Sequence, residues 1–374
     1  MGGTSADIGT IHEGRARYLS EFQLGFGIPI TISCVDVATL GAGGGSIAWL
    51  DKGGLLQVGP RSAGAEPGPI CYGAGGTEPT VTDANLALGR LNPAYFLGGR
   101  VPLDRESPQA ALAAIGRHLG AAELDAVDVA ALAIVETANE NMANQIKLIA
   151  VDRGLDPRDF ALIAFGGAGP VHGAACARLL GIRRVLIPPH PGLSSAFGAL
   201  AANWRVDRAR TILMRSTQLD AELVAARLDE LCRDALAELV ADGFTGEPLI
   251  LRSVDMRYVG QNYERELPLP EGPFTSETAT AMIARFGQAH DEFYGFALEG
   301  ESVEFVNLRV SAIGPSSLAA SPGVPDANVE PRVDHWRPVG FRGIGRVETP
   351  VYRRERLPAG FALSGPAIIE EPDS

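Results

Sequence analysis

The sequence predicts an α/β protein with a smaller α+β region after it. Three observations lead there. An apolar run at 160–165 enters a glycine turn, a small-residue helix and a second apolar run. Helical apolar spacing recurs over 128–152 and 220–242, and strand-like alternation follows residue 252.

In chain order, residues 1–100 read as β-rich and loop-rich. Strands are expected at 28–35, 46–50 and 55–58, punctuated by glycine runs. The stretch 59–83 carries no periodicity, and a segment of that length inside a domain is usually functional or at an interface. Helices are expected at 84–91, 108–120 and 128–152, the last with Leu132, Val135, Ile146, Ile149 and Ala150 on one side. A buried strand at 160–165, a helix at 172–180 and a strand at 185–187 make a βαβ unit with parallel strands. A helix at 220–242, alternation over 252–267, a helix at 276–293 and a strand at 303–310 form the α+β region. Residues 314–332, rich in Pro, Ala and Ser, suit a linker.

Composition narrows the function classes. A net charge of −13 without clustered Lys or Arg gives no footprint for nucleic acid or an anionic membrane. No uncharged apolar run approaches the ~20 residues that span a bilayer. The start, MGGTSADIGT, lacks the design of a signal peptide. Four dispersed cysteines form neither a CxxC pair nor a disulfide framework, which suits a reducing, cytoplasmic compartment. Six histidines show no metal-ligand spacing.

Four segments carry candidate chemistry. Gly2-Gly3-Thr4-Ser5-Ala6-Asp7 offers backbone N–H groups and hydroxyls to an anion, with a carboxylate placed for Mg²⁺ or water. A plain turn explains the same residues. Residues 160–170, FALIAFGGAGP, put a glycine turn between an apolar strand and a helix, where α/β proteins bind ligands. A tight βα connection reads equally well. Residues 40–46, LGAGGGS, lack the dinucleotide spacing and are read as a sharp β-connection. The loop 59–83 brings Arg61, Glu66, Cys71, Glu78, Thr80, Thr82 and Asp83. Cys71 has no nearby His and is read as a structural thiol. His172 is open to two roles, metal ligand or helix cap. Arg257 and Gln261 are read as cross-strand pairing residues.

In order and content these segments resemble the hydantoinase A/oxoprolinase family. The resemblance rests on MGGTSADI, VDVATLGAGGGSIAWLDKGGLLQVGPRSAGAEPGPICYG, GGTEPTVTDANLALGRL, FLGG, NENMANQIKLIAVDRGLDPRDFALIAFGGAGPVHG, PPHPGLSSAFGALAAN, DMRYVGQNYE, VEFVNLRV and GPAIIEEPDS. It implies an actin-like ATPase (ribonuclease H-like) domain over 1–215, an α+β C-terminal domain over 216–315, and a linker with a β-rich tail over 316–374. It implies ATP as cofactor, with Gly2, Gly3, Thr4 and Ser5 on phosphates and Asp7 holding Mg²⁺ or the attacking water. Gly166, Gly167 and Gly169 would lie by the nucleoside, and Arg61, Asp83 and His172 near the reacting end. The implied activity is ATP-dependent opening of a small cyclic amide, with a hydantoinase B-type subunit as partner in a homo- or hetero-oligomer. The ATP-binding subunit of a ketone carboxylase and a non-catalytic structural fragment are the alternatives. Three departures from the family pattern stand out. The N-terminal lobe with its DxGGTFTD-like run is missing, Ala38 stands where many relatives carry a polar residue, and the sequence stops at EEPDS.

Overall fold

A computed structural model describes residues 1–12, 14–19, 22–24, 28–30, 34–298, 300–316 and 330–374. The chain forms two units, Met1–Gly198 with Ser321–Ser374, and Ala199–Ala320.

The first unit opens with nested antiparallel pairings. Strand β1 (Ala6–Gly9) encloses β2 (Ile11–His12), β3 (Arg15–Ala16), β4 (Tyr18–Leu19), β5 (Phe22–Leu24), β6 (Ile28–Ile30) and β7 (Cys34–Val35) before pairing with β8 (Val37–Leu40). Within this arm β2 pairs β3, β4 pairs β7 and β5 pairs β6. Of the strand expected at 28–35, residues 31–33 lie outside the described residues. A second hairpin joins β9 (Ser46–Leu50) to β10 (Leu56–Ser62). Its turn is closed by Asp51, whose Oδ1 accepts from the N–H groups of Gly53 and Leu55 at 2.8 and 3.0 Å. Such Asx turns are why aspartate recurs in tight connections.

Helices α1 (Val81–Ala87), α2 (Gln109–His118) and α3 (Ala126–Asp152) pack on that hairpin. Their core is Val58, Val81, Leu112, Ile134 and Val135, with Ala130, Ala131 and Ala138 fully buried on α3. Three buried alanines permit close helix approach, which explains why α3 shows a wide buried surface rather than one clean stripe.

The βαβ unit follows as β11 (Leu162–Ile163), α4 (Gly169–Leu180) and β12 (Val185–Leu186), with parallel pairing as expected. The strand is shorter and less buried than its apolar run predicts. Ile163 and Leu186 are register partners and each is about half exposed, at 50% and 52%. Helix α4 covers one face, where Ala164 is buried. The other face, with Ile163 and Leu186, stays about half exposed.

Helix α5 (Ser194–Ala201) leads into the second unit. There β13 (Trp204–Arg215), α6 (Ala221–Ala241), β14 (Leu249–Tyr258), β15 (Arg265–Pro268), α7 (Ser276–Tyr294) and β16 (Val303–Gly314) form an antiparallel sheet in the order β13-β16-β14-β15 with helices against it. The side chains of Asp220 and Thr275 cap the two helices by accepting from Leu223 and Thr278 N–H. Leu228, Leu231 and Leu239 of α6 and Phe286 of α7 meet Met256, Phe305 and Leu308 of the sheet in one core. Of the linker expected at 314–332, residues 317–329 lie outside the described residues.

Strands β17 (His335–Phe341), β18 (Gly345–Arg353) and β19 (Ile368–Glu370) make a three-stranded sheet belonging to the first unit. These strands fall within the linker and β-rich tail expected over 316–374. The sheet is fastened to the end of α1: Gly340 N–H donates to Leu88 O at 2.8 Å and Arg337 Nε to Gly89 O at 2.7 Å. Arg346 adds bonds to Ala87 O and to the Asp128 carboxylate on α3.

Candidate functional site

Three glycine-rich segments meet around the first residues of the chain. Gly2 N–H donates to Ser5 O at 2.9 Å, closing a tight turn. The β8–β9 connection then clasps that turn, with Gly44 N–H donating to Gly2 O at 2.9 Å and Gly45 N–H to Gly3 O at 2.6 Å. Contact is so close at Gly43 that a Cβ there would lie 2.5 Å from Gly3 O, so no larger residue fits.

The 166–169 turn locks onto the same segment from the other side. Met1 O accepts from the N–H groups of Ala168 and Gly169, both at 3.2 Å, and Met1 N donates to Phe165 O at 2.9 Å. Gly166 has φ +84°, and a Cβ on it would fall 2.3 Å from Met1 O. The structure thus brings Gly2, Gly3, Thr4, Ser5 and Asp7 together with Gly166, Gly167 and Gly169. The 41–46 run was read from sequence as a plain β-connection. It is that, and also the clasp of this junction. Four glycines within the seven residues 40–46 are its sequence signal.

The outer side of the junction is open. Gly2, Gly3, Thr4 and Gly167 are exposed, and a Cβ on Gly2 or Gly3 would meet nothing within 4 Å. Among the described residues no acceptor is bonded to the N–H of Gly3, Thr4 or Gly167. Clustered donors at a turn and beside a helix start suit an anion. Asp7, also exposed, sits on β1 opposite Thr39 of β8, whose hydroxyl donates to Asp7 Oδ1 at 2.6 Å.

Arg61 stands farther along β10 and is joined to the junction through its neighbour Ser62, whose Oγ is 3.2 Å from Thr4 Oγ1. Arg61, Ser62, Glu66, Thr77, Glu78 and Ile47 line a groove of about 490 Å³. Across it the Arg61 guanidinium grips Glu78 with two bonds, 2.9 and 3.4 Å.

Asp83 and His172 are not at the open surface. The Asp83 carboxylate is fully buried and accepts from the N–H groups of Ile70, Cys71 and Thr80 and from the Thr80 hydroxyl. With Thr80 it forms the capping box of α1, so its charge holds the 70–72 turn to the helix start. Cys71 beside it is buried, and burial together with the Asp83 charge pushes its thiol pKa far up. That suits the structural thiol expected there.

His172 is 2% exposed in the first turns of α4 and does not cap its helix. Its Nε2 lies 3.2 Å from Asn85 Nδ2 on α1 and its Nδ1 2.7 Å from Asn139 Oδ1 on α3. Asn85 donates to Nε2, so the proton is on Nδ1 and goes to Asn139. Both ring nitrogens are engaged, and burial first, then the Arg90 charge, lowers the pKa to about 3. The ring is neutral and ties three helices together.

A second polar group borders the 166–169 turn, whose Gly166 N–H donates to Pro191 O at 2.7 Å: His190, Glu371 and Asp373 place ligand atoms within 4.8 Å of one another. These carboxylates knit the C-terminal residues to the 188–192 turn. Glu371 accepts from His190 N–H and from Arg354 at 3.0 and 2.6 Å, and Asp373 from Gly192 N–H at 2.8 Å. The Arg354 guanidinium balances charge there.

Two glycine loops interlocked on an α/β frame, with an α+β domain following in the chain, define a class: an actin-like ATPase-type fold with its appended domain. The chain belongs to the hydantoinase/oxoprolinase family, whose profile matches residues 1–208, while the profile of the hydantoinase/oxoprolinase C-terminal domain matches 215–374. It is 38% identical to caprolactamase subunit alpha of Pseudomonas jessenii over 99% of this chain and 54% of that protein. It is 31% identical to the acetophenone carboxylase gamma subunit of Aromatoleum aromaticum, over 99% of this chain and 52% of the relative. The crystal structure of the ATP-dependent caprolactamase from P. jessenii superposes with a TM-score of 0.81 at 38% identity, covering all of this chain and 54% of that one. The chain therefore spans about half the length of these relatives. No described helix is long and apolar enough to cross a membrane.

Proposed function

We propose that the chain carries the nucleotide side of an ATP-dependent enzyme that opens a small cyclic amide. The reading rests on one observation above all. The GGTS turn and the FGGAG turn are bonded to each other through Met1, leaving the N–H groups of Gly3, Thr4 and Gly167 with no acceptor among the described residues. Family membership and the caprolactamase relative supply the reaction class.

In this reading Gly2, Gly3, Thr4 and Ser5 hold phosphates, Gly166, Gly167 and Gly169 lie against the nucleoside, and Asp7 holds Mg²⁺. The residues fit the group: open glycines admit phosphate oxygens to the backbone, and an exposed carboxylate follows three residues past Thr4. Bound ATP supplies a phosphoryl group that makes an amide oxygen a good leaving group. Asp83 and His172 act as positioning residues, fixing the 70–72 turn and the α1–α3–α4 packing. A relative named as a subunit supports a multi-subunit enzyme, and we assign the partner as a hydantoinase B-type subunit.

Calorimetric titration of Mg·ATP into this chain, alone and with the part of its relatives that it does not span supplied, tests the reading. Binding is expected, weakened at least about tenfold by Asp7→Asn, the scale of one lost metal carboxylate. Silence in both titrations, or an unaltered affinity in the variant, overturns the nucleotide assignment or the Asp7 role respectively.

The carboxylase relative, at 31% identity over nearly the whole chain, supports a second reading in which the acceptor is a ketone. Phosphate release that needs bicarbonate and a ketone favours it. Release with a cyclic amide alone favours the hydrolase.

A further inference from the structure

Resting on the nucleotide reading above, we infer that the groove beside Ser62 is the acceptor subsite and that it selects an uncharged cyclic amide over a carboxylate-bearing one. Ser62 belongs to both places. It lines the groove, and its hydroxyl is 3.2 Å from Thr4 in the phosphate turn. A molecule in the groove lies next to where phosphate is held. At about 490 Å³ the groove takes a small ring with room to spare.

Charge then decides what enters. The lining carries one guanidinium, Arg61, against two carboxylates, Glu66 and Glu78, so it is net negative. Arg61 is the one cation in it and is already gripped by Glu78 through two hydrogen bonds. A substrate carboxylate has to displace Glu78 and then sit beside two like charges. An uncharged lactam or hydantoin leaves the pair intact and needs only amide partners, which the Ser62 and Thr77 hydroxyls on the lining offer. Both side chains of the ion pair are about half exposed, 58% and 49%, so the discrimination is modest.

A matched pair of rings tests this, 2-pyrrolidinone and 5-oxoproline, which differ by one carboxylate. Ligand-observed NMR titration into the full chain with Mg·ATP present gives both dissociation constants. 2-Pyrrolidinone is expected to bind about fivefold tighter, the scale of one screened like charge. Glu78→Gln frees Arg61 and removes a negative charge, and is expected to erase that preference. Arg61→Gln is expected to widen it. 5-Oxoproline binding as tightly as 2-pyrrolidinone, or variants that leave the ratio unmoved, overturn the inference. If neither ring binds while Mg·ATP does, the groove is not the subsite and the nucleotide reading stands. If Mg·ATP does not bind, that reading fails, and the ring preference still decides the groove's selectivity.

Discussion

The sheet of the second unit and the glycine junction of the first solve opposite problems. In the sheet, charged side chains pair between neighbouring strands. Arg257 faces Glu304 on β16 and bonds it at 2.9 Å, while Arg309 holds Asp255 at 2.8 Å with the aspartate nearly buried. In the junction, the N–H groups of Gly3, Thr4 and Gly167 have no acceptor among the described residues. Regular alternation satisfies its own polar groups. Glycine loops instead use backbone contact to hold one another, and so can leave donors for a ligand. The difference marks where binding is to be sought.

The sharpest way to break that comparison is at Gly166. An alanine there must adopt φ +84° and place its Cβ 2.3 Å from Met1 O, so both backbone strain and a clash with main chain arise. Left-handed backbone costs about 1–2 kcal/mol and overpacking another 1–3, so Gly166→Ala is expected to lose about 3 kcal/mol. Gly2→Ala serves as its control, since its Cβ meets open space, and is expected to stay within about 0.5 kcal/mol. Urea unfolding of both variants reads the contrast. Equal losses would mean the junction is not a tight interlock.

A middle-sized effect belongs to His172, buried polar machinery of the first unit with no counterpart in the open loops. Its pKa falls from an unfolded value near 6.5 to about 3 on folding. A lowered histidine pKa means the unfolded state binds the extra proton between those values. Stability therefore rises with pH across about 3 to 6.5 and is lost progressively as pH falls through that window. The slope from this one ring approaches about 1.4 kcal/mol per pH unit. Denaturant midpoints at pH 5 and 7 are expected to differ less in His172→Gln than in the unsubstituted chain. An unchanged difference would show that the ring is not held neutral.

Legibility followed the same division. Alternation over 303–310 and helical spacing over 220–242 are local signals, and the structure returns them as β16 and α6 with small shifts at the ends. Cross-strand pairing by Arg257 was legible for the same reason. The contacts of 1–5 with 41–46 and 166–169 join residues far apart in sequence, and no period encodes them. Asp83 and His172 look like reactive groups in a sequence because their letters do. Only burial, and four donors to one carboxylate and two asparagines on one ring, show them as fasteners. The apolar run at 160–165 misled in the other direction. Periodicity reports that residues are apolar, whereas covering them takes a neighbour that the run itself cannot name.

The smallest effect sharpens the sheet side of the comparison. Arg257 is partly exposed, with Glu304 beside it at 12% and a second carboxylate, Glu264, at 3.4 Å. Removing the guanidinium by Arg257→Ala leaves Glu304 without its register partner, though Arg215 approaches it at 3.8 Å from β13. Partial solvation and that second cation limit the loss to about 1 kcal/mol. Mg·ATP binding is expected to be unaffected, because the pair acts within the sheet. Chemical denaturation and titration on the same sample separate the two. A loss of several kcal/mol would make the pair a core element, and lost nucleotide affinity would move function out of the glycine junction and into the sheet.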